Sequence, residues 1–185
     1  MQIAVLSDIH DNVWALAAVL SAVQSADVLI CCGDLCSPFV MTQLGEGFTG
    51  RPIHVVFGNN DADLLRITRN AARFPHVQLH GAFYTDTFDR RSLAVNHYDD
   101  IALAIAHGQT CDIVCYGHNH DFKVEAIGDT LAINPGAVLG YNPVHRADVP
   151  CTFVIYDTQT HLAQGYRIGE SRGPLGEDRR VLPYP

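Results

Sequence analysis

Carboxylates, amides and imidazoles recur in this 185-residue chain at one kind of place, the end of a short apolar run. The run 3–6 stops at Asp8 and His10, 28–32 at Gly33 and Asp34, 53–57 at Gly58 and Asn59, 93–96 at His97, and 113–116 at Gly117, His118 and His120. Each run reads as a buried strand that delivers donors at its carboxyl end. In open α/β sheets ligands bind outside those ends, so Asp8, His10, Asp34, Asn59, His97, His118 and His120 would face one crevice. Seven donors are too many for one ion. They suit two ions that share a bridging carboxylate, an arrangement that activates water and clamps a phosphoryl group. Alternation within 118–120 turns both imidazoles to one side of an extended segment, which serves two adjacent ions.

The segments between these ends have the pattern to hold them. Asp11 or Asn12 is placed to cap a helix reaching about residue 24, with Val13, Leu16, Ala17, Leu20 and Val23 at helical spacing. A weaker, glycine-interrupted helix over 38–48 follows the second run. An amphipathic helix carrying Leu64, Ile67, Ala71 and Phe74, capped by Asp61 and ended by Pro75, follows the third. These are parallel strand–helix–strand units. From Val77 the runs shorten to 77–80, 82–88 and 91–96, split by Gly81 and by Asp89 and Arg90, as in antiparallel hairpins. Residues 99–108 fit a helix capped by Asp99 or Asp100 and closed by Gly108, with His107 at its end. Strands at 122–127, 131–133, 151–156 and 161–167 complete one domain over 1–167, with two packed sheets and outer helices. The tail 168–185, rich in Gly, Pro, Arg and acids, is expected to be irregular.

Charged residues make up only 17% of the chain, below the roughly 25% usual for globular proteins, which indicates extensive burial or an interface. A homodimer is expected on that ground. The net charge of −8 argues against general nucleic-acid or anionic-membrane binding, both driven by Lys and Arg fields. Bound divalent cations would supply the positive charge that an anionic substrate needs. Cys31, Cys32, Cys111, Cys115 and Cys151 read as core packing, while Cys36, in a loop near Asp34, is open to oxidation. No apolar run approaches 18 residues, so a soluble, cytoplasmic chain is expected. His54, His76, His80 and His161 have no motif context and read as packing or surface residues.

The order and spacing of Asp8 and His10, Gly33 and Asp34, Gly58 to Asp61, His97, and Gly117 to His120 resemble the calcineurin-like metallophosphoesterase superfamily. Its pattern is Asp-x-His, Gly-Asp, Gly-Asn-His-Asp or Glu, His-Gly, and Gly-His-x-His. The chain's size and its Ile133, Asn134, Pro135 and Gly136 look most like the small bacterial and archaeal phosphodiesterase branch. The resemblance covers about residues 1–167. It implies a four-layer α/β/β/α sandwich of two mixed sheets flanked by helices. It also implies one ion on Asp8, His10, Asp34 and His120 and a second on Asp34, Asn59, His97 and His118, with Asp34 bridging. The activity implied is hydrolysis of a small-molecule phosphodiester by metal-activated water. Such mixed donors suit Mn, Fe, Zn or Ni better than Ca, and Mn is the expected ion. Asp34, Asn60 and His97 are assigned to catalysis, and Asn12, Asn60 and Asn134, with His145, to the substrate face.

Two departures from the pattern bear on chemistry. His97 is followed by Tyr98 rather than glycine, and His107 with Gly108 competes for the same motif. His97 is preferred, because it ends a strand-like run and leaves room for a helix before the last pair. Asn60 stands where the pattern has the histidine that protonates the leaving group. Its amide donates hydrogen bonds but surrenders no proton at neutral pH. Activated esters are therefore expected to be favoured, unless another group such as His145 or a metal-bound water supplies the proton. A phosphomonoesterase or nucleotide hydrolase with the same site is the alternative enzyme. Against the serine/threonine phosphatase branch, the run Gly33, Asp34, Leu35, Cys36, Ser37 and Pro38 lacks the Asp-Arg-Gly that would follow there. A non-catalytic scaffold of the same fold is the other alternative, and here every ligand position is filled.

Overall fold

Side-chain alternation along the first strands decides the layering in this computed structural model, which describes residues 1–169 and 181–185. In β1 (Gln2–Leu6), Ala4 and Leu6 enter one core and Ile3 and Val5 another, and all four are buried. A strand apolar on both faces belongs inside a sandwich. After α1 (Val13–Ala22), β2 (Val28–Cys31) repeats the division, with Leu29 and Cys31 opposite Val28 and Ile30. Then α2 (Pro38–Gly47), β3 (Ile53–Val55), α3 (Leu64–Ala71) and β4 (Val77–Leu79) extend a parallel run. Leu16, Val19, Met41, Leu44 and Ile67 of the three helices share a core with Leu6, Leu29 and Val55, so the helices cover one face of the sheet.

Next come β5 (Phe83–Phe88), β6 (Arg91–Asn96), α4 (Asp99–His107), β7 (Ile113–Cys115), β8 (Phe122–Ile127) and β9 (Thr130–Pro135). The five strands form a second sheet in the order β5-β6-β7-β9-β8. A ribbon of β10 (Tyr141–Asn142) and β11 (Ala147–Asp148) leads to β12 (Thr152–Asp157), β13 (Leu162–Ile168) and β14 (Val181–Tyr184). These three join the first sheet, whose order is β14-β13-β12-β1-β2-β3-β4, with β12 antiparallel to β1. Ile3, Val5, Val28 and Ile30 meet Leu93, Val95, Ile113, Cys115 and Ile133 between the sheets. On the outer face of the second sheet, Ala94, Val114 and Ala132 receive Ala102 and Ala106 of α4, and the small side chains let the helix sit close. The result is the expected α/β/β/α sandwich of two mixed sheets.

Several local expectations change. Asp63, at φ 50°, caps α3 by accepting from Arg66 N at 3.2 Å, and Asp61 is used elsewhere. Tyr98 occupies the N-cap of α4, while Asp99 and Asp100 lie in its first turn, where their charge suits the helix dipole. The β10–β11 ribbon has no counterpart in the sequence pattern. Residues 181–184, expected to be irregular, pair as β14 with β13, and the part of the tail at 170–180 lies outside the described residues. Cys31 packs under the helices and Cys32 and Cys115 between the sheets, all as free thiols. Among the described residues no helix is long and apolar enough to cross a membrane.

Candidate metal centre

The loops that leave β1, β2, β3, β6 and β7 meet at one end of the sandwich and are bonded to one another before any side chain is considered. Asp8 N donates to Gly33 O at 3.1 Å, and Ile9 N and His10 N both donate to Asp34 O at 2.9 and 3.1 Å. Asp61 completes the lock, its carboxylate accepting from the backbone N–H groups of Gly58 (2.7 Å), Cys36 (3.0 Å) and Asp34 (3.1 Å). The lock holds unfavourable backbone. Asp8, His10, Asp34, His118 and His120 all have left-handed φ, at 53°, 42°, 55°, 73° and 62°. Such conformations persist in non-glycine residues only where the surroundings over-determine them. The segment 118–120 is accordingly a bend rather than the extended strand expected, and its two rings still point into the site. Gly117 is required by space: a Cβ there would lie 2.0 Å from Ser7 Oγ and 2.5 Å from Asp8 Oδ2.

Asp34 is at the centre of the donors. Its Oδ2 lies 3.3 Å from His10 Nε2 and 3.4 Å from His97 Nε2. Asp8 Oδ1 lies 3.4 Å from His120 Nε2 and 3.8 Å from His10 Nε2. On the other side, Asn59 Oδ1 is 3.1 Å from His97 Nε2 and 2.9 Å from His118 Nδ1. Ligand atoms of Asp8, His10 and His120, and of Asp8, Asp34 and His97, fall within 4.8 Å of one another. The seven sequence candidates therefore come together, with His10 and His120 at one end and His97, His118 and Asn59 at the other.

The proton positions test whether cations fit. His97 Nδ1 lies 2.8 Å from Cys32 O, and His120 Nδ1 lies 2.6 Å from Tyr141 O. A carbonyl only accepts, so each Nδ1 carries the hydrogen and, in the neutral ring, each Nε2 turns a lone pair toward a carboxylate. Lone pair against carboxylate is stable only with positive charge between them. Buried Asp8 Oδ1 and His10 Nε2 also have no hydrogen-bond partner among the described residues. The electrostatics agree. Burial, the largest influence on His10, works against its charged form, yet contacts with Asp34, Asp8 and Cys36 outweigh it and raise the ring to about 12. His97 is raised against burial by Asp34 and Asp8, and Asp34 is held below the usual carboxylate range, against burial, by His10, His97 and Asn60. In each case the cluster seeks a cation, and a proton is the smallest one. The donor set fits divalent metal.

The remaining candidates divide. Asn60 is exposed and touches the shared carboxylate twice, N to Asp34 Oδ1 and Nδ2 to Asp34 Oδ2, both at 2.8 Å. Asn12 instead caps α1 through Ala15 N (3.1 Å) and donates to Leu139 O (3.0 Å) and Val138 O (3.3 Å). Asn134 is fully buried and does not line a surface; it donates to Asn119 Oδ1 at 2.8 Å and Gly117 O at 3.3 Å and accepts from Gly136 N at 3.0 Å, supporting the bend at 118–120. His107, at the last position of α4, joins no ligand group. Sequence reasoning misses Asp61 as the loop lock, because an acid ahead of an amphipathic run reads as a cap. It also misses Tyr141, which acts through its carbonyl and leaves no side-chain signal.

Comparison with known proteins follows the same lines. Residues 1–161 match the calcineurin-like phosphoesterase superfamily domain. Over 146 residues the chain is 27% identical to phosphodiesterase MJ0936 of Methanocaldococcus jannaschii, which covers 76% of this chain and 86% of that protein. A solved structure described as a novel archaeal phosphodiesterase superposes with a TM-score of 0.79 at 25% identity, over 89% of this chain and 98% of that one. Vps29 of Entamoeba histolytica, solved with bound zinc, shares the fold at a TM-score of 0.67 and 18% identity, over 100% of this chain and 97% of its own. Since the first match takes in every strand end that carries a donor, the chain belongs to the calcineurin-like phosphoesterase superfamily.

Proposed function

We propose that this protein is a dinuclear metal-dependent phosphodiesterase acting on small phosphoesters. The observation that carries the proposal is the Asp34 carboxylate, whose Oδ2 stands between His10 Nε2 at 3.3 Å and His97 Nε2 at 3.4 Å, so that one oxygen is shared by two donor groups. Asp8, His10 and His120 would hold one cation with Asp34, and Asn59, His97 and His118 the other. Two such cations supply an activated water and positive charge opposite the phosphoryl oxygens. The chain's own residues fix the geometry. Asn60 N and Nδ2 donate to Asp34 Oδ1 and Oδ2, both at 2.8 Å, and so fix the orientation of the carboxylate whose Oδ2 takes the shared position. The carbonyls of Cys32 and Tyr141 orient His97 and His120 with Nε2 inward. Asn60 Nδ2, exposed beside that carboxylate, is placed to donate to a phosphoryl oxygen.

The preference for diesters is supported by the relatives named phosphodiesterases, and the net charge of −8 favours a small substrate over nucleic acid. Carboxylate, amide and imidazole donors suit Mn, Fe, Zn or Ni, and Mn is our working ion. The test compares Mn content and turnover of the wild type and Asp34→Asn, with bis(4-nitrophenyl) phosphate and 4-nitrophenyl phosphate as substrates. The wild type should hold two ions per chain and prefer the diester. Asp34→Asn should lose metal and at least about 100-fold in turnover, the scale on which one charge-stabilising group acts. Retention of both ions with near-normal turnover refutes the shared carboxylate, and a higher kcat/KM for the monoester replaces the diesterase by a monoesterase.

A further inference from the structure

We propose that His145 is the proton donor to the leaving group, the role that the amide of Asn60 cannot fill; the inference rests on the phosphodiesterase reading above. Elimination leads to this residue. Of the ten histidines, His10, His97, His118 and His120 are taken as ligands. His54 and His80 are hydrogen-bonded to each other at 3.0 Å, His76 to Gly45 O at 3.0 Å, and His161 to the Tyr156 hydroxyl at 2.8 Å. His107 ends α4, a nine-residue helix that starts beside His97, which carries it roughly 13 Å along the helix axis. Only His145 remains.

Its mount is built onto the site. His120 Nδ1 donates to Tyr141 O at 2.6 Å at the start of the β10–β11 ribbon. Asn142, fully buried, donates through Nδ2 to Asn119 O at 3.0 Å and Asp121 Oδ1 at 2.9 Å. The Oδ1 of the same side chain accepts from Val144 N at 2.9 Å and His145 N at 3.1 Å. These bonds clamp the turn of the ribbon to the segment that carries His118 and His120. From that turn the His145 ring extends with 63% of its side chain exposed, its Nε2 4.0 Å from Oδ1 of Asp121, the neighbour of His120 in the chain. Contact with solvent lets the ring recover a proton after each turnover. Histidine is also the side chain whose ordinary titration range spans neutrality. Asp121 and the neighbouring Arg146 are the charged groups nearest to it along the two clamped segments.

In the step itself, the oxygen of an attacking water forms a new bond to phosphorus and gives up one proton to solvent, while the bond to the leaving oxygen breaks. The bonding pair stays on the leaving oxygen, which takes the Nε2 proton of the His145 imidazolium and departs as an alcohol. The neutral ring then recovers a proton from solvent.

The experiment measures kcat/KM of Mn-loaded wild type and His145→Gln on phosphodiesters whose leaving groups run from 4-nitrophenol to simple alkanols, with metal content and melting curves for both proteins. The wild type should show a shallow dependence on leaving-group pKa. The variant should keep its metal and lose about 100-fold or more on alkyl esters, with the loss shrinking steadily toward the nitrophenyl ester. No loss, or the same loss across the whole series, overturns the assignment. A metal-loaded wild type that hydrolyses none of the diesters overturns the phosphodiesterase reading itself, and this inference with it.

Discussion

His54 lies outside the donor cluster, in a hydrogen-bonded row whose direction is set by one carboxylate. Asp86 Oδ2 only accepts, so the Tyr84 hydroxyl donates to it at 2.6 Å. Tyr84 oxygen is then free to accept from His54 Nε2, 3.4 Å away, which leaves His54 Nδ1 as the acceptor for His80 Nε2 at 3.0 Å. A second proton on His54 would set N–H against N–H. Burial, at 6% exposure, is the first cause that lowers His54 from 6.5 to about 4; His80 is the second, and Asp86 pulls the other way. Between about pH 4 and 6.5 the unfolded chain binds a proton here that the folded chain does not. The contribution to stability is therefore complete above pH 6.5 and is lost as the pH falls toward 4. At roughly 1.4 kcal/mol per pH unit, the whole window is worth about 3.4 kcal/mol. Urea unfolding of metal-free wild type and His54→Gln from pH 4.5 to 7.5 isolates it, because glutamine can donate and accept in the same row without titrating and the other titrating groups are common to both chains. The acid-induced loss of stability should be about 2 to 3 kcal/mol smaller in the variant. Parallel pH profiles would refute the neutral row.

Two further outcomes concern the metal centre. Gly117→Ala forces a methyl to within 2.0 Å of Ser7 Oγ and 2.5 Å of Asp8 Oδ2, so calorimetry should show weakened Mn binding and thermal melts a loss of about 1 to 3 kcal/mol; an affinity equal to that of the wild type would refute the crowding. Metal uptake should release protons and tighten as pH rises, because contacts with Asp34, Asp8 and Cys36 outweigh burial and hold His10 at about 12, protonated at neutral pH until a metal displaces the proton. Titration in two buffers of different ionisation heat counts these protons at pH 7.5, and fewer than one per chain would refute that account.

What the sequence discloses, and what it conceals, follows from how far each feature reaches along the chain. The parallel strands are legible because both of their faces are buried, so Ile3 to Leu6 and Val28 to Ile30 read as unbroken apolar runs whose ends must be where the donors gather. The supporting groups are concealed because they act between loops far apart in sequence. Asp61 binds the N–H groups of Asp34 and Cys36 from the next loop, and nothing in its neighbourhood distinguishes that use from a helix cap. Asn142 and Tyr141 reach the segment 119–121 from a two-residue strand too short to show periodicity. β14 is hidden by composition, and Pro183 within it is tolerated because β14 is the edge strand of its sheet. The segment 118–120 is the most instructive case. Alternation in an extended strand leads to two rings directed into the site, and the rings are there, but His118 and His120 reach it through left-handed backbone at 73° and 62°. A strand would have presented both rings at one depth. The bend sends His118 toward Asn59 and His120 toward Asp8, so the strained backbone is what divides the two imidazoles between two ends of one cluster.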